Sequence, residues 1–350
     1  AEGVIHVNVT PETPFEYNTF VGTPSAPITI ESNNSFSKEI PFPKGWRWIS
    51  VNLNDPDLSD INALFTDVQS TSGDQIKGQS VYDNYVSNYG WAGSLSSNGG
   101  IDVSQMYMIK SGASDTLLIS GSKVNPISTN VTLNSGWNWI GYTPQSNIAL
   151  SDAMSNFNPT NGDLIKSQYS FAMYDDAMGW IGSLDYMLPG EGYMYKSLNA
   201  SATSFVYPDV TTSGKKGPED HNVLVDGWEL NKEAYQFNMS VIGELQLNNF
   251  EVTDNHIVGA FVNDECRAIV RSRKVEDKDL YYATIYGNPS DTVSYYLINT
   301  TTGEQVEIIE KTIFSSNGLI GDHTNPQPLT LREALSISEN EENAIHVYPN

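Results

Sequence analysis

The sequence predicts a mainly β protein with two tandem homologous β-rich α+β units followed by a β-sandwich domain. A Trp-x-Trp block occurs twice with the same motifs behind it, and a later region alternates apolar and polar residues with period two. Charged residues form only 17% of the chain, whereas Tyr, Asn, Ser, Thr and Gly are plentiful. This composition is typical of strands and turns rather than of helical bundles.

The strongest signal is internal repetition, which predicts a first unit at residues 35–125 and a second at 126–210. Four blocks recur in the same order at nearly constant spacing, so the two units are expected to share one fold. The blocks lie at 45–49, 73–79, 90–95 and 107–110, and they return at 136–140, 162–168, 179–184 and 193–196.

Each unit is expected to open with a strand that places both indoles of the Trp-x-Trp block on one face. These large aromatic side chains are expected to pack in the core. A short helix should follow, because Ile61, Leu64 and Phe65 recur at helical spacing behind Asp57 and Ser59. Leu150, Ala153 and Met154 give the same pattern in the second unit.

The remaining segments divide by composition. Residues 1–34 are predicted to be an N-terminal segment or the tail of a preceding domain. Residues 211–221 are predicted to be a linker, because they contain Gly and Pro breakers and no apolar periodicity. Residues 222–335 contain strand patterns at the spacing of a β-sandwich. Residues 336–350 are expected to form a separate C-terminal segment that begins with an acidic spacer containing Ser and Asn.

The sequence lacks the patterns that indicate several classes of function. The formal net charge of −24 disfavours nucleic-acid partners and anionic membrane surfaces. No apolar run is long enough to span a bilayer, so no membrane insertion is expected. The five histidines have no metal-ligand spacing, and no nucleophile elbow or phosphate loop occurs. Cys266, the single cysteine, is expected to be a small buried apolar residue. The chain is therefore predicted not to be an enzyme.

Cofactors are not indicated with certainty, although calcium remains possible. Residues 54–57 and 59–60 carry Asn, Asp and Ser oxygens that suit calcium. The same residue types precede helices as caps, and no complete calcium-loop spacing is present.

Two aromatic clusters are the candidate ligand-binding residues, and they are expected to lie in turn regions. The pattern is equally compatible with core positions and with exposed positions. Tyr and Trp offer flat apolar faces to sugar rings, and carboxylates and amides bond hydroxyls. The residues are Tyr82, Asp83, Tyr85, Tyr89 and Trp91 in the first unit, and Tyr169, Tyr174, Asp175 and Trp180 in the second.

The Gly-Trp-x-Trp-Ile, Gly-Asp-x-Ile-Lys-x-Gln and Gly-Trp-x-Gly-Ser-Leu blocks, with residues 258–267, resemble modules near the C-termini of large proteins exported by Bacteroidota. Residues 345–350, Ile-His-Val-Tyr-Pro-Asn, look like the opening of a type IX secretion sorting domain. The resemblance covers most of residues 40–330 and implies export to the cell surface, without any particular chemistry.

The function expected from these observations is a non-catalytic binding or adhesion segment of a secreted cell-surface protein that recognises polysaccharide or another surface component. The duplication would double a weak site. The alternative is a structural spacer or assembly module for a catalytic domain outside this sequence. A carboxylate-based glycosidase or lyase is a minor alternative, because paired acids from distant strands leave no sequence signature.

Overall fold

The computed structural model describes residues 35–209, 223–246 and 252–332, and the chain is mainly β as predicted. The N-terminal segment 1–34, the linker 211–221 and the spacer 336–350 lie outside the described residues. The described residues divide into two compact units, 35–167 with 186–209 and 168–185 with 223–246 and 252–332. This boundary cuts through the second repeat, because residues 168–185 group with the C-terminal β-domain.

The first copy, residues 35–125, contains two sheets. Strands β2, β7, β4, β5 and β6 form an antiparallel sheet in that order, and β1, β8 and β3 form another. The elements are β1 Phe36–Phe42, β2 Gly45–Ile49, β3 Leu53–Asn54, α1 Ile61–Leu64, β4 Gln75–Lys77, β5 Tyr82–Val86, β6 Gly90–Gly93, α2 Ser94–Ser97, β7 Tyr107–Ser111 and β8 Asp115–Lys123.

The predicted helix of the first copy is present but is divided. A 3₁₀ turn at Pro56–Ser59 precedes α1, and Asp60 between them is extended, with φ −125° and ψ 98°. The Asp60 carboxylate accepts hydrogen bonds from the first amides of α1 and so takes the capping role. Ile61, Leu64 and Phe65 are buried in the core of this copy.

The second copy, residues 126–210, repeats the order of elements along the chain except at one place, where the short strand β15 takes the position that helix α2 has in the first copy. Within the first compact unit, β16 pairs with β10 and β12, as β7 pairs with β2 and β4 in the first copy. The elements are β9 Val131–Leu133, β10 Gly136–Ile140, β11 Ile148–Ala149, α3 Leu150–Ala153, β12 Leu164–Lys166, β13 Phe171–Asp175, β14 Gly179–Gly182, β15 Tyr186–Met187, β16 Tyr193–Ser197 and β17 Thr203–Phe205.

The two Trp-x-Trp strands meet in one cluster between the copies. Trp46 and Trp48 are 9% and 1% exposed, and they pack with partly buried Trp137 and Trp139. Met106, Met108 and Met194 complete this tryptophan–methionine cluster. The Gln79 amide adds polar contacts, because its oxygen accepts from Trp139 N at 2.9 Å and its nitrogen donates to Trp137 O at 2.9 Å. The expectation of core packing for these indoles is confirmed.

Three charged side chains also lie between the copies. The Arg47 guanidinium forms an ion pair with the carboxylate of Glu191. Burial raises the pKa of Glu191, and Arg47 opposes that shift. The ammonium of Lys166 lies over the rings of Trp48 and Trp137, at 5.7 and 5.1 Å from their centroids. Burial lowers the pKa of Lys166 to about 7.

The C-terminal β-domain is one curled, sandwich-like sheet. Its strands run in the order β23, β22, β19, β20, β21 and β18, and β24 and β25 both pair with β18. An isolated bridge joins Ile308 of β23 to Leu331 just beyond β25, so the curled sheet encloses one core. The strands are β18 Phe237–Gln246, β19 His256–Val262, β20 Glu265–Val275, β21 Lys278–Gly287, β22 Thr292–Asn299, β23 Gln305–Ile313, β24 Leu319–Ile320 and β25 Gln327–Thr330.

A second apolar cluster lies on the outer side of this sheet. Trp228 packs against Phe261 with ring centroids 5.2 Å apart. Cys266 belongs to the same cluster and is 4% exposed, so the predicted burial of this cysteine is confirmed. Burial raises the pKa of its thiol to about 11.

Replacing Trp48 by Ala should lower the free energy of unfolding by about 3 to 5 kcal/mol, because the substitution leaves a cavity in the tryptophan–methionine cluster. Urea unfolding followed by tryptophan fluorescence measures this loss. Leu118→Ala, at a side chain 49% exposed, is the control and should cost less than about 1 kcal/mol. Equal losses would contradict the assignment of the cluster as the core between the copies.

Replacing Lys166 by Met should stabilise the protein at pH 7 and change its pH dependence. Because the folded-state pKa of Lys166 lies below the unfolded value, the wild type should gain stability as pH rises from about 7 towards 10.5. The slope is at most about 1.4 kcal/mol per pH unit. Unfolding free energies measured across this range should converge for variant and wild type at the alkaline end, whereas a constant difference would contradict burial of the ammonium.

Candidate functional site

The predicted aromatic cluster of the first copy lies in a hairpin and not in a loop. Strands β5 and β6 pair antiparallel across a turn at residues 87–89. Successive side chains of a strand point to opposite faces, so β5 sends Asp83 and Tyr85 one way and Tyr82, Asn84 and Val86 the other. The cluster is therefore divided between the core and the surface.

Trp91 lies on the core side. It is 4% exposed and packs on Phe65 and Tyr85, with centroid distances of 5.0 and 5.6 Å. Asn62 of α1 fixes the strand at this point, because its oxygen accepts from Trp91 N at 2.7 Å and its nitrogen donates to Trp91 O at 3.0 Å. Trp91 is thus a core residue, which corrects the expectation that it contacts ligand.

Asp83 is also interior, with no exposed surface. Its carboxylate accepts hydrogen bonds from Leu95 N at 3.0 Å and from the amide and hydroxyl of Ser96. Asp83 therefore caps helix α2 from a neighbouring strand. This structural role replaces the predicted role in ligand binding.

Tyr82 and Tyr89 face solvent. Tyr82 is 48% exposed on β5, and Tyr89 is 77% exposed in the β5–β6 turn. The turn contains Asn88 with a positive φ of 66°, a conformation that Asn tolerates better than most residues. Of the five residues predicted in the first copy, these two are presented to solvent and Tyr85 is half-buried.

In the second copy, the corresponding hairpin is packed within the second compact unit. Phe171 is fully buried and contacts Tyr282 of β21 at a centroid distance of 5.9 Å. Arg273 of β20 donates to Gly182 O at 3.0 Å and forms a bidentate ion pair with the carboxylate of Asp185. The β13–β14 hairpin therefore docks on the C-terminal β-domain.

The predicted residues of the second copy take part in this packing. Tyr174 and Trp180 stack edge to face, 5.3 Å apart, and both are half-buried. The Tyr169 hydroxyl donates to Glu233 at 3.2 Å. Asp175 accepts from the amides of the β13–β14 turn and lies 3.3 Å from the imidazole of His323. The turn amides hold the pKa of Asp175 below its usual value, and His323 adds to this effect.

The two copies differ on the face of β5 that carries Tyr82. By position in the duplicated blocks, Tyr82 and Asn84 correspond to Phe171 and Met173. Phe171 and Met173 are buried, at 0% and 7% exposure, whereas Tyr82 is 48% exposed and Asn84 is half-buried. The same sheet face is thus apolar and covered in the second copy but polar and uncovered in the first.

We call the uncovered part of this face the open face. It consists of Gln75, Lys77, Tyr82, Asn84, Val86 and Lys110, which the strand register places on one side of the sheet. The Gln75 amide nitrogen donates to Asn84 Oδ1 at 2.7 Å, which orients both amides. The ammonium groups of Lys77 and Lys110 lie 5.8 and 5.9 Å from the centroid of Trp46.

Sequence reasoning missed Gln75, Lys77, Val86 and Lys110. The available signal was the period-two alternation of β5, which separates Tyr82, Asn84 and Val86 from Asp83 and Tyr85. Lys77 and Lys110 reach the same face only through strand pairing between distant segments, which the sequence does not display.

The oxygen-rich segment considered for calcium serves as helix caps. Asp55 accepts from Asp57 N at 2.9 Å and from Ser120 N at 2.5 Å, and Asp60 caps α1. Across residues 35–209, 223–246 and 252–332, no group of three or more His, Cys, Asp or Glu side chains is arranged to hold a metal ion.

Comparison with known proteins gives no match to a family model, a curated protein or a solved structure. In the part of the chain that the structure describes, no helix has the length and apolar character to cross a membrane.

Replacing Asp83 by Ala should lower the free energy of unfolding by about 2 kcal/mol, because the amides of α2 lose their acceptor inside the protein. Asp57→Ala is the control, since Asp57 lies at the surface with an exposed carboxylate. Thermal or urea unfolding separates the two variants. An unaltered stability for Asp83→Ala would contradict its assignment as a buried cap.

Proposed function

We propose that this chain is a non-catalytic binding segment of an exported cell-surface protein, and that the open face of the first copy binds polysaccharide. The observation that carries the proposal is the difference between the copies. Positions that the second copy uses for domain packing hold a solvent-exposed tyrosine and an oriented amide in the first.

The chemistry of the open face suits a hydrated, partly apolar ligand. The Tyr82 ring provides a flat apolar surface with a polar tip, and exposed Val86 extends the apolar area along β5. Gln75 and Asn84 provide paired amides for hydroxyl groups. A pyranose ring has both complementary features, an apolar face and a rim of hydroxyls.

The polarity of the face argues against a permanent domain interface there. Burying the amides and lysines of this face against another domain would require partners for each polar group. The second copy avoids this cost with Phe171 and Met173, which are apolar. The open face is therefore better suited to reversible binding than to fixed packing.

The non-catalytic part of the proposal rests on the residues of this sheet face. They include no Asp or Glu, and so lack the pair of carboxylic acids that glycoside hydrolysis uses. The face residues, in register across the five strands, are Trp46, Trp48, Gln75, Lys77, Tyr82, Asn84, Val86, Gly90, Ala92, Met108 and Lys110.

Export and attachment at the cell surface belong to the proposal through the sequence resemblance alone. A second candidate function is a structural spacer or assembly module. The observation that favours it is the docking of the β13–β14 hairpin on the β-domain, where aromatic residues serve packing.

Polysaccharide binding can be measured by screening the chain on a glycan array and titrating the best ligands by affinity gel electrophoresis. Tyr82→Ala should weaken binding on the order of tenfold, because Tyr82 is the central aromatic contact. Leu118→Ala is the matched control, since its side chain is equally exposed on a different sheet. Unfolding midpoints should remain unchanged in both variants.

Two results would contradict the proposal. If no glycan binds at any concentration tested, the polysaccharide function is wrong and the spacer function is favoured. If Tyr82→Ala and Leu118→Ala bind a glycan equally well, the binding site lies elsewhere on the chain.

A further inference from the structure

We infer that the polysaccharide recognised by the open face is acidic, with carboxylate groups of uronic-acid type. This inference rests on the proposed function and adds the class of ligand. It depends on three features of the open face: its charge, the environment of its two lysines and the loss of this arrangement in the second copy.

The charge of the face is opposite to that of the chain. The chain has 42 Asp and Glu against 18 Lys and Arg. The sheet face that includes the open face nevertheless has two lysines and no carboxylate at any position in register. At physiological ionic strength, charges act over about 8 Å, so these lysines influence a bound ligand more than distant acidic residues do.

The two lysines lack anionic partners within the described residues. Neither Lys77 nor Lys110 forms an ion pair there, whereas Lys274 pairs with Asp279 and Arg273 with Asp185. Both ammonium groups lie beside the single indole of Trp46. Burial lowers the pKa of Lys77, with no carboxylate to oppose the shift. A ligand carboxylate would supply the missing counter-charge at a partly desolvated cation.

The second copy cannot present the same pair. Lys166, which corresponds to Lys77, is 1% exposed over Trp48 and Trp137. The exposed tyrosine at position 82 is replaced by the buried Phe171. Of the two copies, the first should therefore provide the acidic-glycan site.

A uronate polymer matches the face better than a nucleic acid does. It combines carboxylates with apolar ring faces and hydroxyls, which correspond to the lysines, to Tyr82 and to the amide pair. Nucleic-acid binding gains most of its affinity from many phosphate contacts, and two lysines on a chain of charge −24 supply few.

The test compares acidic polysaccharides with neutral versions of themselves. Polygalacturonate and alginate are each titrated beside the product in which the carboxylates have been reduced to alcohols, by affinity electrophoresis at low and high salt. At least one acidic polymer should bind several-fold more tightly than its reduced form, and added salt should diminish the difference.

Lys77→Gln and Lys110→Gln should each weaken binding of the acidic polymer about two- to fivefold, without affecting the reduced one. Lys311→Gln, at an exposed lysine of β23, is the control.

The outcomes separate this inference from the proposed function. If acidic and reduced polymers bind equally and binding depends on Tyr82, the inference is overturned and the polysaccharide function stands. If an unrelated DNA duplex binds as tightly, with the same lysine dependence, the acidic-glycan assignment is likewise overturned. If neither polymer binds in either form while the array gives a neutral ligand dependent on Tyr82, again only the inference fails. If no polysaccharide binds at all, both fail together.

Discussion

The packing of two Trp-x-Trp strands against each other constrains the rest of the repeated part of this protein. Trp46 and Trp48 lie on one face of their sheet because strand side chains alternate, and Trp137 and Trp139 meet them from the other copy. Once these indoles are buried, strand register decides which face of the sheet every other residue occupies. Ile76 and Trp91 must then face the α1 and α2 side, and Lys77 and Tyr82 must continue the tryptophan face.

That constraint explains how one duplicated sequence produces two different surfaces. The tryptophans of both copies pack in one cluster, but the equivalent strands β5 and β13 have different surroundings. Phe171 of β13 packs against Tyr282 in the C-terminal β-domain, whereas Tyr82 of β5 remains in water. The first copy has Tyr and Asn at the uncovered positions where the second copy has apolar residues. Tyr and Asn suit these positions, because amides and phenols exposed to water require no buried partners. The duplication therefore separates two roles, domain packing in the second copy and ligand binding, as we propose, in the first.

A feature could be predicted from the sequence when it depends on residues close together in the chain, and could not when it depends on contacts between distant segments. The repeated blocks and the strands of the β-domain could be predicted, because they depend on local alternation and on motifs visible in one chain. The helix near Ile61 was predicted as well, but its division at Asp60 was not, because a single extended residue leaves no periodic signal. For the site, residue type alone led to Trp91 and Asp83, which are interior. Alternation within β5 correctly separates the interior Asp83 from the exposed Tyr82. The burial of Phe171 and the placement of Lys77 beside Lys110 depend on contacts between distant segments.

The central claim is that Tyr82 and its neighbours form a water-facing contact surface for polysaccharide. Hydroxyl-radical footprinting of the free chain and of the chain saturated with its best glycan tests this claim at residue resolution. The account predicts that Tyr82 and Tyr89 are labelled in the free chain, that Trp91 is not, and that the glycan protects Tyr82 while leaving Leu118 unchanged. Weak labelling of Tyr82 in the free chain, or labelling that the glycan does not alter, would contradict it.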